Sequence, residues 1–459
     1  MSAETLHRLH FAFSVTFHYL FPQLSMGLGL LIVILKLRAV VTKDAAWDRA
    51  VRFWSRLFGI TFVMGVVTGI PLEFQFGTNW ARFSHAAGGV IGQTLAMEGV
   101  FAFFLESSFL YALLFGEKRL GPKGHLLAAI LVCTGSWLSG YFIVCTNAWM
   151  QHPVGYRVDA DGVIHLSSWS ALMLNPWAFV QYAHTMVGSV ITASFTMAAV
   201  SSFYLLRNLH LDVFGRCLRV AVTVGVVASI MAALPTGDLH IKKVAEHQPI
   251  TFAAMEGHFH THRGVGITLV GQPNMETLTL DNPIVVPEAL SFLLHQRPGT
   301  EIKGLVDFPR SEWPDNVPLL YYSYHIMAGL GTLFIALMSL SAVLSWRGEL
   351  LRVRGVLWAL MLFAPLPYVA NTAGWLTAEL GRQPWLIHGL MRTRDGYSAN
   401  VSPGNALFSL LGFMGLYALL ALLYFFLVTK LLARGPEPVS EHEGTEATSA
   451  HAGSAGQGS

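Results

Sequence analysis

The stretch Leu95-Ala-Met-Glu98-Gly-Val-Phe-Ala-Phe-Phe-Leu-Glu106-Ser-Ser-Phe109 sets two carboxylates inside one of the most apolar parts of the chain. An ionisable group at membrane depth costs several kcal/mol unless it is paired, ligates something or moves protons, so such a pair reads as a functional site. At roughly 1.5 Å rise per residue the two carboxylates stand about 12 Å apart on one helix, on broadly the same face. One then serves a buried cofactor and the other a path to it. The competing reading is a pair of glutamates satisfied by interhelical hydrogen bonds.

Working outward, the chain has 459 residues, 53% of them hydrophobic and only 12% charged. Soluble domains carry about twice that charged fraction, so the expected class is an all-α, polytopic membrane protein. The formal net charge of +2 is distributed by loop, and nothing indicates a nucleic-acid partner. Cys133, Cys145 and Cys217 show no CxxC spacing and read as small buried hydrophobes rather than as a disulfide or thiolate-metal framework. The polar start, Met1 to His10, leads straight into a spanning segment and does not read as a cleavable signal peptide.

Apolar runs of about 20 residues give about nine transmembrane helices, near 11–36, 54–76, 90–115, 125–149, 178–206, 214–236, 319–346, 355–379 and 405–432. The loops holding Lys36 to Arg56, Lys118 to Lys123, Arg207 to Arg219, Arg347 to Arg354, and Lys430 with Arg434 carry most of the basic residues. The opposite set has Arg8, Arg82, Arg157, Arg382, Arg392 and Arg394. The positive-inside rule then sets the N-terminus outside and the C-terminus in the cytoplasm. Four regions follow: helices one to six over 1–236, an external loop over 237–318, helices seven to nine over 319–432, and a disordered cytoplasmic tail over 433–459 rich in Ser, Gly, Ala, Glu and Pro. A loop of that length reads as a binding element or lid.

Of nineteen histidines, only His18, His184 and His325 lie well inside spans. A neutral imidazole is the usual axial ligand of haem, and a thioether can supply the opposite side. Counting rise from the outer edge sets His184 roughly 9 Å and Met327 roughly 12 Å deep, level enough to share one iron. Met327 alone would more often be core filler. His18 at about 10 Å and Glu98 at about 12 Å share that depth, and Glu379 ends the eighth span near it; Glu106 lies about 12 Å further toward the cytoplasm. Arg382 could hold a propionate in bidentate fashion, with Trp375 and Trp385 packing beside it; an ordinary interfacial belt accounts for the same residues. Three scattered histidines exclude a haem-copper oxidase and a bc-type cytochrome b. The alternative from another class is a secondary transporter or proton channel that uses Glu98, Glu106 and Glu379 as a relay, although no inverted repeat is visible.

Taken together, Glu379-Leu-Gly-Arg-Gln-Pro-Trp385, Ala-Met-Glu98-Gly, Phe-Leu-Glu106-Ser, Asn147-Ala-Trp-Met-Gln-His-Pro-Val-Gly155, Tyr182-Ala-His184-Thr and Tyr324-His-Ile-Met327 resemble subunit I of the cytochrome bd-type quinol oxidases, over about residues 1 to 432. The resemblance implies a haem-containing subunit of a terminal quinol:oxygen oxidoreductase in the bacterial cytoplasmic membrane. It implies His184 and Met327 as ligands of a low-spin haem b. His18 and Glu379 correspond to ligands of a high-spin pair, a haem b with a haem d or a further haem b, and Glu98 stands beside them. Glu106 corresponds to an acidic residue of a cytoplasmic proton path, Arg8 and Arg382 to basic residues near the haems, and Glu256 to the acidic position of a quinol-binding loop. Partners implied are a second multi-span subunit, subunit II, a small single-span subunit, ubiquinol or menaquinol, oxygen and membrane lipid.

Three departures resemble a short-loop, cyanide-insensitive branch: Thr251 where better-known members carry a lysine, His325 where they carry an arginine, and the short external loop. The triplet His258-Phe-His260-Thr-His262 has alternate histidines that could bind a metal, but a solvated loop is the expectation.

Overall fold

The computed structural model describes residues 2–437; the remainder of the tail expected over 433–459 lies outside the described residues. Among the described residues nine helices are long and apolar enough to cross a membrane. They are α1 (Ala3–Thr42), α2 (Ala45–Thr78), α3 (Ala81–Phe115), α4 (Glu117–Gln151), α5 (Pro176–Leu206), α6 (Leu211–His247), α7 (Val317–Trp346), α8 (Arg354–Arg382) and α9 (Pro403–Arg434). Each extends beyond its apolar run, because helix continues into the polar flanks once caps are available. Ser2, Asp44, Asn175, Asn316 and Ser402 accept a backbone N–H at the starts of α1, α2, α5, α7 and α9.

Packing between helices relies on small residues, as expected where lipid removes the hydrophobic drive for association. A Cβ on Gly27 of α1 would stand 2.1 Å from the Ser189 carbonyl oxygen of α5, so the two backbones touch at that crossing. Leu28, Leu31, Trp54, Phe58, Phe195 and Phe214 fill the core toward one end of the bundle. That end also holds the ion pairs Lys36–Asp48 at 2.7 Å, Lys36–Glu117 at 3.2 Å and Arg49–Asp212 at 2.7 Å.

The opposite end carries the connection between α6 and α7. It is folded: a short helix, Pro249–Met255, precedes a hairpin of β1 (Ile267–Asn274) and β2 (Thr279–Val286). Phe252, Met255, Phe259 and Leu305 form a core of their own that packs on Val317 and Leu320 at the head of α7. This is the loop end of the bundle, and the other is its basic end.

α3 is not uniform. Residues Glu98–Phe103 form a π-helical turn inside it. In an unbroken α-helix eight residues leave two side chains about 80° apart, whereas one extra residue in a wide turn reduces the offset to about 20°. The π turn therefore brings Glu98 and Glu106 onto one face.

Candidate active site

One face of α4 organises the carboxylates. Ser136, Ser139, Asn147 and Gln151 share that face by helical spacing. The Ser139 hydroxyl donates to Glu98 Oε1 at 2.7 Å, and the Ser136 hydroxyl donates to the buried Glu106. Asn147 Nδ2 donates to Glu379 Oε1 at 2.7 Å, and Gln151 Nε2 to the Ala378 carbonyl at 3.2 Å. All three glutamates expected from the sequence thus lean on a helix not singled out for chemistry. The acceptors of Ser136 and Ser139 are about one turn, roughly 5 Å, apart along α4. The two carboxylates of α3 therefore converge, and their separation is shorter than the 12 Å of backbone rise suggested.

Two threonines fix the tautomers of the candidate histidine ligands. Thr68 Oγ1 donates to the Met64 carbonyl at 2.7 Å, so toward His18 Nδ1, 3.0 Å away, it can only accept. Thr236 Oγ1 donates to the Met231 carbonyl at 2.7 Å and likewise accepts from His184 Nδ1 at 3.2 Å. Each imidazole is held with its proton on Nδ1 and its lone pair on Nε2, the form that ligates iron. Space is reserved beside the ligand atoms as well. A Cβ on Gly69 would meet His18 Cε1 at 2.9 Å, and one on Gly374 would meet Met327 Sδ at 2.8 Å. The His184 ring also lies 5.4 Å from that of His240, a neighbour that hydropathy and spacing do not single out.

Arg382 is buried, with one nitrogen on Glu379, while its Nε and Nη1 have no partner among the described residues. Unpaired N–H donors on a buried guanidinium suit an anionic oxygen such as those of the carboxylates haem carries. The donor set, the glycine cradles and this orphaned guanidinium together fit a haem. Arg8, in contrast, is partly exposed and occupied by Asp315 at 2.8 Å and Glu4 at 3.7 Å. Trp375 is half-buried next to Gly374. Trp385 lies under the Arg392 guanidinium at 4.5 Å and donates to Glu312 at 2.8 Å, so it pins the loop after α8.

In the loop region Glu256 is buried at the end of the short helix. Burial pushes its carboxyl up to about 7, against a hydrogen bond from Tyr324 that pulls it down. Thr251 is turned to α8: its hydroxyl donates to the Gly381 carbonyl at 2.7 Å. A Cβ on Gly381 would lie 2.3 Å from the Thr251 methyl. Gln248 Nε2 donates to Gln151 Oε1 at 2.6 Å, which ties the loop to α4. Both ring nitrogens of His325 face carbonyl oxygens, Tyr321 at 2.9 Å and Thr268 at 3.0 Å, so it anchors the hairpin to α7. His258 Nε2 contacts the Ile302 carbonyl at 2.9 Å and His262 Nδ1 the His260 carbonyl at 2.9 Å. Among the described residues no group of three metal-ligating side chains forms, there or elsewhere.

The family model for cytochrome bd terminal oxidase subunit I matches residues 6–436. The chain is 33% identical to the Bacillus subtilis protein named cytochrome bd ubiquinol oxidase subunit 1, over 96% of each chain. It is 32% identical to the Escherichia coli cytochrome bd-II ubiquinol oxidase subunit 1, covering 96% of this chain and 98% of that one. Its structure resembles that of the bd oxidase from Geobacillus thermodenitrificans with a TM-score of 0.87 and 30% identity, over 95% of this chain and 99% of that chain.

Proposed function

The chain belongs to the subunit I family of cytochrome bd terminal oxidases, and from that premise we propose how its residues divide the work of quinol oxidation and oxygen reduction. It is a multi-pass membrane subunit of a quinol oxidase, and its family carries haem. The transporter alternative is thereby set aside.

His184 and Met327 hold a low-spin haem b; His18 and Glu379, with Glu98 beside them, serve a high-spin haem b and a haem d, or a further haem b in its place. Arg382 holds a propionate oxygen through the N–H donors of its unpaired Nε and Nη1. When bound, haem iron relays electrons from quinol and binds and reduces oxygen. The loop end faces outward and binds ubiquinol or menaquinol. There Glu256, whose carboxyl is pushed up to about 7, accepts a quinol proton and passes it outside. Thr251 acts on this site through Gly381 rather than by touching quinol.

Protons for oxygen reduction come from the basic, cytoplasmic end. Glu106 receives them, and the adjoining hydroxyls of Ser136 and Ser139 lead on to Glu98. Charge separation then needs no pump: taking protons from one side while releasing them on the other does work of about 2.3 kcal/mol per charge per 100 mV. The partner is a cytochrome bd-type subunit II, with a small single-span subunit and membrane lipid around it. The chain falls in the short-loop branch, with Thr251 and His325 as its marks.

The observation that carries this reading is the single polar face of α4, which joins Glu106, Glu98 and Glu379 across the bundle. The test is pyridine haemochrome analysis of the purified complex together with a quinol oxidase assay. Haem b with quinol-dependent oxygen uptake is expected; a preparation without a Soret band overturns the reading.

A further inference from the structure

We propose that the seam between α1 and α2 at the loop end is a water channel, which carries product water from the oxygen-reducing site to the outer face. The inference rests on the reading of His18 as a ligand at that site. Four residues of α1, His7, His10, Ser14 and His18, fall on one face, and Gln75 and Thr68 of the antiparallel α2, with its C-cap Asn79, face them. The pairing steps down the seam. Asn79 Nδ2 reaches His7 Nδ1 at 3.0 Å and His10 Nδ1 at 3.2 Å; Gln75 Nε2 donates to Ser14 at 2.6 Å; His18 meets Thr68 at 3.0 Å.

A polar seam could be interhelical glue alone, in which case its groups would satisfy one another. They do not. The amide N–H groups of Asn79 donate to both Nδ1 atoms, which leaves each imidazole proton on Nε2. His7 Nε2, His10 Nε2 and Gln75 Oε1 are buried and have no partner among the described residues. Two orphaned donors and one orphaned acceptor need a partner that both accepts and donates, and water is the small molecule that does so.

The seam also opens. A half-open cavity of about 370 Å³ lies at its outer end, with His10, Thr78, Asn79, Asn405 and Ser409 as its polar groups and Phe74, Val401 and Phe413 making the larger, apolar part of its lining. That is room for on the order of ten waters at about 30 Å³ each. At its inner end stands His18. Reduction of one oxygen by four electrons and four protons makes two waters inside an apolar bundle, and they must leave. The seam is lined by imidazole, amide and hydroxyl groups without a carboxylate, lysine or arginine, which suits passage of a neutral product. It lies apart from Glu106, so protons enter at one end and water leaves at the other.

The test is radiolytic hydroxyl-radical footprinting of the haem-loaded complex, mixed rapidly with ¹⁸O-water and read by mass spectrometry. His7, His10 and Phe413 are expected to take up ¹⁸O label well above the fully buried Trp54, used as the dry reference. Labelling at the Trp54 level overturns the proposal. In Gln75→Leu, turnover at saturating quinol and oxygen should fall several-fold while the haem spectrum stays, and Gln75→Asn should restore part of it; undiminished turnover in Gln75→Leu overturns it too. The wild-type footprint decides whether or not the variant assembles. A Soret band in that preparation separates failure of this inference from failure of the haem reading.

Discussion

Thr236 and Thr68 set the protonation of His184 and His18, the two histidines proposed as haem ligands. Groups that orient a metal-bound histidine typically alter metal affinity or activity by about 10–100-fold when removed. Thr236→Val should weaken retention of the low-spin haem, whereas Thr236→Ser should keep it; equal haem content in both variants after dialysis against a haem scavenger would contradict this. Met327→Leu and His184→Ala are expected to remove the low-spin signal selectively, and its survival in both would sink the ligand assignment. Glu256 gives a pH test. Its carboxyl is raised to about 7 by burial, so the proton-accepting carboxylate exists above that pH and is lost below it. Quinol oxidation should therefore rise with pH through about 7. Glu256→Gln should be slow and flat over the same range; an unchanged pH profile in that variant removes Glu256 from proton transfer. At this scale the sequence exposed the costly residues, because a glutamate or histidine in an apolar span is conspicuous. The threonines stayed hidden, since a threonine in a membrane helix most often bonds its own backbone and only the fold reveals a second partner.

Elements explain why the two glutamates of α3 act together. Their common face depends on the π turn at Glu98–Phe103, which no apolar pattern announces. Inserting one alanine after Gly99, where the wide turn already absorbs one residue, should rotate Glu106 by about 100° away from Ser136. Oxygen reduction should collapse while the low-spin haem on α5 and α7 persists, which a reduced-minus-oxidised spectrum would separate from global misfolding. Ser136→Ala is the milder change on the opposing helix and should slow oxygen reduction without altering haem content. The polar face of α4 was legible in principle as Ser136, Ser139, Asn147 and Gln151 at helical spacing. Asn147 and Gln151 stand in a stretch that carries the family resemblance, but Ser136 and Ser139 passed unnoticed because small hydroxyls cost little in a membrane helix. The folded connection between α6 and α7 was less legible still: Phe252, Phe259 and Leu305 are scattered apolar residues without period, and they join only through tertiary contact.

For the whole molecule, hydrophobic length fixed the nine spans and basic residues suggested which end faces inward. Their assembly assigns the two ends different tasks. The loop end gathers Glu256, Arg382 and the α1–α2 seam; the basic end gathers the Lys36 and Arg49 ion pairs, with Glu106 reached from that side. In the proposed function, electrogenic turnover without a pump requires this separation and turns on Glu106. The most direct measurement is the membrane potential generated during oxygen reduction in proteoliposomes of the complex, wild type against Glu106→Gln, with haem content recorded for both. The predicted result is an electrogenic phase in wild type that is slowed or lost in Glu106→Gln at unchanged Soret absorbance. A variant with full haem and an undiminished electrogenic phase would contradict the account.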